Sequence, residues 1–456
     1  MVRIYLAAVL SLAVTVAHAQ LGRGALNLPQ LPINQTLQGV QGAANQTLQG
    51  VQGIASQTLQ GVQGVSSQLD SSLSQDTRAL QVRDLIRQNR TTLEADPNGA
   101  AMLRNEILAL SPTDGDLALA QNAGFAVVGV RTLDGLDARI VILQAPQGLS
   151  TARALVRIRA LIPAGRFDFN HVYGESGTAS TDDAPANAVP SAAPVMPPAS
   201  PATKLGLIDG GIDDSHPVFR ELAIHRHGCG NVTIPSEHGT AVASLMIGRS
   251  ADFHGAAPGA ELYAGDVYCG LPTGGSVDAV AEAMAWLVHE RIAVINVSLV
   301  GPPNVVLESV VHEVVSRGFI IVAAVGNDGP AAKPLYPASY PGVVGVTAVD
   351  AHRRVLVEAA RGPQVRFAAP GADMVAAKSP QGFAAVRGTS FAAPLVACLL
   401  GAELTQPDSA AATRAISDLA GRAVDLGARG LDPVYGYGLV GADLGPSIRL
   451  VGLRAQ

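Results

Sequence analysis

The hydrophobic positions predict one order of elements before residue 174 and another after residue 203. In the first stretch, a strand over 105–111 is followed by a helix over 112–124, with Pro112 in its first turn. A strand over 126–133, a turn at Asp134-Gly135 and a strand over 138–145 come next. A helix over 149–162, capped by Ser150, and a strand over 166–173 close the series. The order β-α-β-β-α-β is the ferredoxin-like α+β pattern, and it defines a domain over 75–173.

In the second stretch, runs at 205–208, 261–267, 294–299, 319–325 and 343–349 read as strands that are apolar throughout. Helices are predicted over 240–247, 277–290, 305–316 and 391–404. Wholly apolar strands separated by helices imply an α/β domain over 204–445, with a largely parallel sheet flanked by helices. Chemistry in such a sheet belongs at the carboxyl ends of strands. Asp209 and Asn327 both fall just past one.

The remaining segments fit neither pattern. Residues 1–19 read as a secretory signal: Arg3, an apolar run from Tyr5 to Val16, and the cleavage site Ala17-His18-Ala19. This predicts a secreted or periplasmic protein with no integral membrane anchor. Residues 20–74 hold an eleven-residue repeat that begins at Asn34 and recurs from Asn45 and Ser56. Its apolar residues would line one helical stripe, but two glycines per repeat each cost about 1 kcal/mol in a helix. A spacer and a self-associating helix both remain open. Residues 174–203 are Ala, Pro, Ser and Thr, an exposed linker and an expected region of cleavage, and 446–456 form a short tail.

Composition narrows the classes further. Hydrophobic residues make up 48% of the 456, enough for substantial cores, while charged residues are only 15% and the net charge is −6. No basic stripe points to a nucleic-acid partner. Of three cysteines, Cys229 and Cys269 lie in predicted loops and are expected to pair, while Cys398 sits inside a helix as a small apolar residue. No Cys-x-x-Cys spacing or calcium loop assigns a metal or other cofactor.

The candidate chemistry centres on Ser390, in Gly388-Thr389-Ser390-Phe391-Ala392-Ala393-Pro394 at the start of a predicted helix. There it meets the positive end of the helix dipole and free backbone N–H groups. His238, in His238-Gly239-Thr240-Ala241-Val242-Ala243, offers a base, and Asp209, in Leu207-Ile208-Asp209-Gly210, an orienting carboxylate. In order and motif these three strings resemble the subtilisin-like serine proteases. Val294-Ile295-Asn296-Val297-Ser298-Leu299, Ala323-Ala324-Val325-Gly326-Asn327, Tyr336-Pro337-Ala338-Ser339-Tyr340-Pro341 and Tyr435-Gly436-Tyr437-Gly438 are similar to further landmarks of that family.

The resemblance implies a serine endopeptidase with Ser390 as nucleophile, His238 as base and Asp209 as its partner. The oxyanion would be held by Ser390 N–H and the Asn327 side chain. Substrate would add as a strand along Ser298, Leu299, Val300 and Gly301, with Ala324, Val325 and Gly326 opposite. The ferredoxin-like domain resembles the family's propeptides and would act as an intramolecular inhibitor of a self-processing zymogen. The family often binds calcium, although no site is assigned here. Gly210 and Ser244 depart from the usual family residues, and Val300 and Val325 should narrow the specificity pocket toward small or medium uncharged side chains. His216, Asp213 and Asp214 read as structural. The alternative is a non-catalytic protein that holds peptides or serves as a scaffold.

Overall fold

A computed structural model of the chain describes residues 78–176, 178–183, 188–191, 203–444 and 447–450. The expected signal segment and repeat lie outside them. Every described residue belongs to one compact unit, Val65–Gln456.

Helix α1 covers 78–88. It is followed by β1 (Leu93–Ala95), β2 (Ala101–Leu110), α2 (Asp114–Asn122), β3 (Ala126–Leu133), β4 (Ala138–Gln144), α3 (Thr151–Leu161) and β5 (Arg166–Glu175). The sheet is antiparallel, in the order β5-β2-β4-β3. Local signals start both long helices. Thr113 and Asp116 form a reciprocal capping box on α2, and the Ser150 hydroxyl accepts from Arg153 N–H on α3. One sheet face packs on these helices through Ile107, Val141, Leu143, Ala154 and Ile158.

The chain continues with β6 (Thr178–Asp183), β7 (Ala188–Ser191), β8 (Lys204–Asp209), β9 (Ile224–His227), α4 (Glu237–Ile247), β10 (Glu261–Asp266) and β11 (Gly275–Ser276). Then come α5 (Val277–His289), β12 (Val294–Val297), β13 (Leu299–Val300), α6 (Val305–Ser316), β14 (Ile320–Ala324), β15 (Val344–Val349) and β16 (Val365–Pro370). The hairpin β17 (Met374–Ala377) and β18 (Phe383–Arg387), helices α7 (Thr389–Gly401) and α8 (Ser409–Arg422), and β19 (Ser447–Leu450) complete the order.

Seven strands form one parallel sheet, in the order β16-β15-β14-β12-β8-β10-β9. Helices cover both faces. Phe391, Leu395 and Leu400 of α7 pack over Leu205, Val294 and Val322, while Val280, Met284 and Leu307 of α5 and α6 pack over Ile208, Ile295 and Ile321. The hydrophobic runs had predicted the five central strands. The two edges, β9 and β16, carry charges (Ile-His-Arg-His in β9) because an edge is only partly covered.

Two parts of the expected linker over 174–203 are strands. β6 pairs with β18, and β7 pairs with β19. Their composition hides this, because the pairing partners lie more than 190 residues away in sequence. The strand expected to end at Tyr173 likewise runs on to Glu175.

The small sheet lays its second face on α5 and α6. Leu108, Ile140 and Ile142 join the apolar cluster there. Polar contacts fix the register: Asn170 Nδ2 donates to Asp278 Oδ1 at 2.9 Å, and Asn304 Nδ2 donates to Phe169 O at 2.9 Å. The N–H of Val305, at the start of α6, donates to Asp168 Oδ2 at 2.7 Å, so a carboxylate from the small domain caps a helix of the large one. This docking aims β5 at the carboxyl ends of the parallel strands.

Candidate active site

Asp209 ends β8 and is fully buried. His238 enters α4, whose start is fixed by the Ser236 hydroxyl accepting from Gly239 N–H at 3.2 Å. Helix and strand end come very close. A Cβ on Gly239 would lie 2.2 Å from Gly210 O, so only glycine fits behind the histidine. His238 Nδ1 then lies 2.9 and 3.0 Å from the two Asp209 oxygens. Burial works against protonation of the ring, but the Asp209 and Glu175 carboxylates outweigh it and hold the imidazole up at about 9. His238 Nε2 is buried with no hydrogen-bond partner.

Ser390 opens α7, its ring neighbour Phe391 5.4 Å from the His238 ring centroid. Pro394 sits four residues on and has no N–H to give Ser390 O. Ser298 supplies the missing bond: its hydroxyl donates to Ser390 O at 2.9 Å. The first turn of α7 is thereby tied to the strand that follows β12.

The site is filled by the chain itself. Beyond β5, the Ser176 carbonyl accepts from Ser390 N–H at 3.0 Å and also from the Ser390 hydroxyl, which lies 3.1 Å from Ser298 O as well. Asn327 Oδ1 accepts from Thr389 N–H at 3.1 Å, and its Nδ2 donates to the Ser176 hydroxyl at 3.3 Å. The Thr389 hydroxyl lies 3.0 Å from that same oxygen and accepts from Gly326 N–H at 3.2 Å.

Upstream, Glu175 and Gly174 pair antiparallel with Leu299 and Val300, while Tyr173 and Val172 pair with Gly275 and Ser276 of β11. One strand thus lies between two edges. Tyr173 is fully buried and its hydroxyl donates to Pro302 O at 2.5 Å. A Cβ on Gly301 would come 2.6 Å from its ring, which makes that glycine the floor of the aromatic pocket.

The expected residues are therefore distributed unevenly. Asp209 and His238 touch, and Ser390 and Asn327 converge on Ser176, but the Ser390 hydroxyl points at the Ser176 carbonyl rather than at His238 Nε2. Leu299, Val300 and Gly301 contact the bound segment. Ala324 and Val325 belong to the apolar cores on the two faces of the sheet, so the bulk of Val325 is taken up by core packing. Thr389, Tyr173, Glu175 and Ser176 are additional. Thr389 stood inside the serine string, while the other three lay at or beyond the expected end of the small domain.

Cys229 and Cys269 form a disulfide, and Cys398 is buried. Among the described residues, the cluster with metal-ligand spacing is Cys229, Asp266 and Cys269, whose sulfurs are joined to each other. His216 Nε2 lies 2.9 Å from Gly382 O, and Asp213 accepts from Ser215 and Ser379, so both hold loops. The Ser244 hydroxyl accepts from Ala377 N–H at 2.9 Å, tying α4 to β17.

The family model described as the subtilase family matches residues 200–438, just over half of the chain. The chain belongs to the subtilase family. Over 209 residues this subtilase is 34% identical to Subtilisin Savinase of Lederbergia lenta, a match covering 45% of this chain and 76% of that one. It is 32% identical to Subtilisin E of Bacillus subtilis (strain 168), covering 42% and 53%. With the Minor extracellular protease Epr of the same organism the identity is 32%, covering 44% and 32%. The chain thus spans from about a third to three quarters of the length of these relatives. Fervidolysin from Fervidobacterium pennivorans, a keratinolytic enzyme related to subtilisin, superposes with a TM-score of 0.61 at 20% identity. That match covers 75% of this chain and 61% of fervidolysin, and it bears on the fold alone.

Proposed function

We propose that this subtilase is a serine endopeptidase made as a precursor that cuts its own chain between Ser176 and Gly177. The observation that carries this is the Ser176 carbonyl seated on the N–H and hydroxyl of Ser390, with the preceding residues paired to two edge strands. A scissile carbonyl needs that placement, with reacting atoms in contact and the oxygen among donors.

A rotation of the Ser390 side chain delivers its proton to His238 Nε2, which has no other partner. The oxygen attacks the Ser176 carbonyl carbon, and Asp209 stabilises the imidazolium that forms. The oxyanion is held by Ser390 N–H, with Asn327 Nδ2 beside it. On collapse the C–N bond to Gly177 breaks, and His238 returns its proton to the leaving amine. Water, deprotonated by His238, then splits the ester between Ser390 and Ser176, freeing the Ser176 carboxylate and the Ser390 hydroxyl.

The severed small domain remains in place as an inhibitor through β5 and its contacts with α5 and α6. The Cys229–Cys269 disulfide fits an oxidising compartment, in keeping with the signal-like segment and export to the medium or periplasm. A fluorophosphonate probe tests the chemistry. The processed chain should be labelled on Ser390 and lose hydrolysis of extended peptides in parallel. A processed chain that neither reacts with the probe nor cleaves peptides would leave only peptide holding.

A further inference from the structure

Asn296 is a polar residue in a strand, Val294–Val297, that is otherwise apolar. It pairs with Leu207 of β8 on one side and Val322 of β14 on the other. It shares a face with Val294, which packs under α7. Its side chain is fully buried. An amide in that position is costly unless it is hydrogen-bonded, and only half of this one is. Nδ2 donates to Ser298 Oγ at 2.9 Å, while Oδ1 is buried with no partner.

The chemistry of the neighbours fixes this direction. Pro394 leaves Ser390 O without a helical donor, and a carbonyl can only accept. The Ser298 hydroxyl has one proton, which goes to Ser390 O at 2.9 Å. Ser298 Oγ therefore accepts from Asn296, and the amide turns its nitrogen toward the serine. The reverse orientation would give the Ser298 proton to Oδ1 and leave Ser390 O bare. The chain of bonds from Asn296 through Ser298 to Ser390 O thus runs one way. Ser298 also holds the other end of the nucleophile, with its carbonyl 3.1 Å from Ser390 Oγ. The N–H that meets the Ser176 carbonyl belongs to Ser390 as well.

We propose that Asn296 is a positioning residue: it commits the Ser298 hydroxyl to Ser390 O, and so fixes the first turn of α7, the nucleophile and the oxyanion N–H against the scissile carbonyl. This rests on the protease function above. Asn296 acts through Ser298 and not on the substrate, so its contribution is geometric. A shift of about 1 Å at the reacting atoms costs about 100-fold in rate, while the strand pairing that binds substrate is untouched. The signature is a loss in kcat with KM unmoved. An amide kept for stability alone predicts something else. An apolar residue of the same shape would remove the orphaned Oδ1, leave folding unchanged or improved, and leave the rate alone.

The test uses Asn296→Leu, Ser298→Ala and their double variant, each matured from the full chain and assayed on one extended peptide. Asn296→Leu should lower kcat about 10- to 100-fold, with KM within about twofold of the wild type and no loss of resistance to denaturant. Ser298→Ala should lower kcat as far or further, and Ser298→Thr, which keeps the hydroxyl, should recover most of it. Because Asn296 acts through that hydroxyl, the double variant should stay within about threefold of Ser298→Ala. A kcat for Asn296→Leu within about twofold of the wild type, a loss carried by KM, or losses that multiply in the double variant overturns the relay. Peptide cleavage by the wild type and Asn296→Leu alike leaves the protease standing and removes only the relay. A wild type with neither cleavage nor fluorophosphonate labelling removes both. Should Asn296→Leu fail to fold or to mature, Asn296→Ala answers in the precursor. Its self-cleavage, followed by mass, should slow about tenfold or more, with little further loss when it is added to Ser298→Ala; multiplied losses overturn the relay.

Discussion

The two folded regions depend on each other unequally. The region over 204–444 covers both faces of its parallel sheet with its own helices. The region over 78–176 covers one face with α2 and α3 and leaves Leu108, Ile140 and Ile142 to be buried by α5 and α6. Its last strand is split in role: Arg166–Leu110 pairing belongs to its own sheet, while Tyr173–Glu175 pair with the edges of the other. A domain whose final strand completes someone else's site is suited to being cut there. On release after the proposed cut, the larger region would keep its core, whereas the smaller one would lose both its covered face and its strand partners.

The largest effect expected of a single change is on the chemistry that separates the two regions. His238→Ala should slow processing on the order of 10⁴-fold or more, the scale that subtilisin sets for loss of its own triad members. Intact precursor followed by mass over time measures it, and unfolding by denaturant should show some loss of stability as well, because the buried Asp209 carboxylate loses its partner.

Next comes the joint between the regions. Tyr173→Ala removes a fully buried ring and its bond to Pro302 O, at a cost of about 3–5 kcal/mol. The severed small domain should then dissociate about 10²- to 10³-fold more readily or beyond, read by gel filtration and by recovery of peptide hydrolysis.

A pH series sharpens the comparison further. With His238 held at about 9 in the precursor, the ring is protonated at neutral pH and the base form grows as pH rises. Processing should accelerate roughly tenfold per pH unit from 7 toward that value. The linked stability has the matching sign: a raised histidine stabilises the precursor below the ordinary value of 6.5, and that share is lost as pH climbs through about 9. Glu175→Gln withdraws one of the two carboxylates and should move the midpoint of the rate profile to lower pH.

The smallest effect belongs to Glu106. Burial raises its carboxyl, and Asp278 adds to this, against the pull of Asn170 and Arg131. A raised carboxyl favours docking below its ordinary value of 4.5 and gives up that contribution as pH rises through the docked value. Retention of the small domain should therefore weaken from acid toward neutral pH, and Glu106→Gln should flatten this dependence by about a fewfold.

Local strings made part of this readable from the sequence alone. His238 and Ser390 each stand at a helix start followed by small residues, and Asp209 and Asn327 follow apolar strands, so motif and placement agree. Helices α2 and α3 were legible from Pro112 and Ser150 for the same reason, while the Thr113 cap on α2 emerges only in the structure. What stayed hidden was decided by partners far away in sequence. Tyr173–Ser176 has no strand signal beyond its first residues and owes its order to Leu299–Val300 and Gly275–Ser276. β9 is strand because β10 pairs with it, in spite of two histidines and an arginine. Ser298 and Ser390 are 92 residues apart, and neither string announces the bond between them.

The bond between the two regions offers the most direct measurement: the new N-terminus of the matured chain, determined for the purified wild type and for Ser390→Ala incubated alone. The expected result is an N-terminus at Gly177 in the wild type and an unchanged precursor in the variant. A first cut elsewhere, or a Ser390→Ala chain that matures at the same bond by itself, would contradict the seating of Ser176 on Ser390 as the act that frees the enzyme.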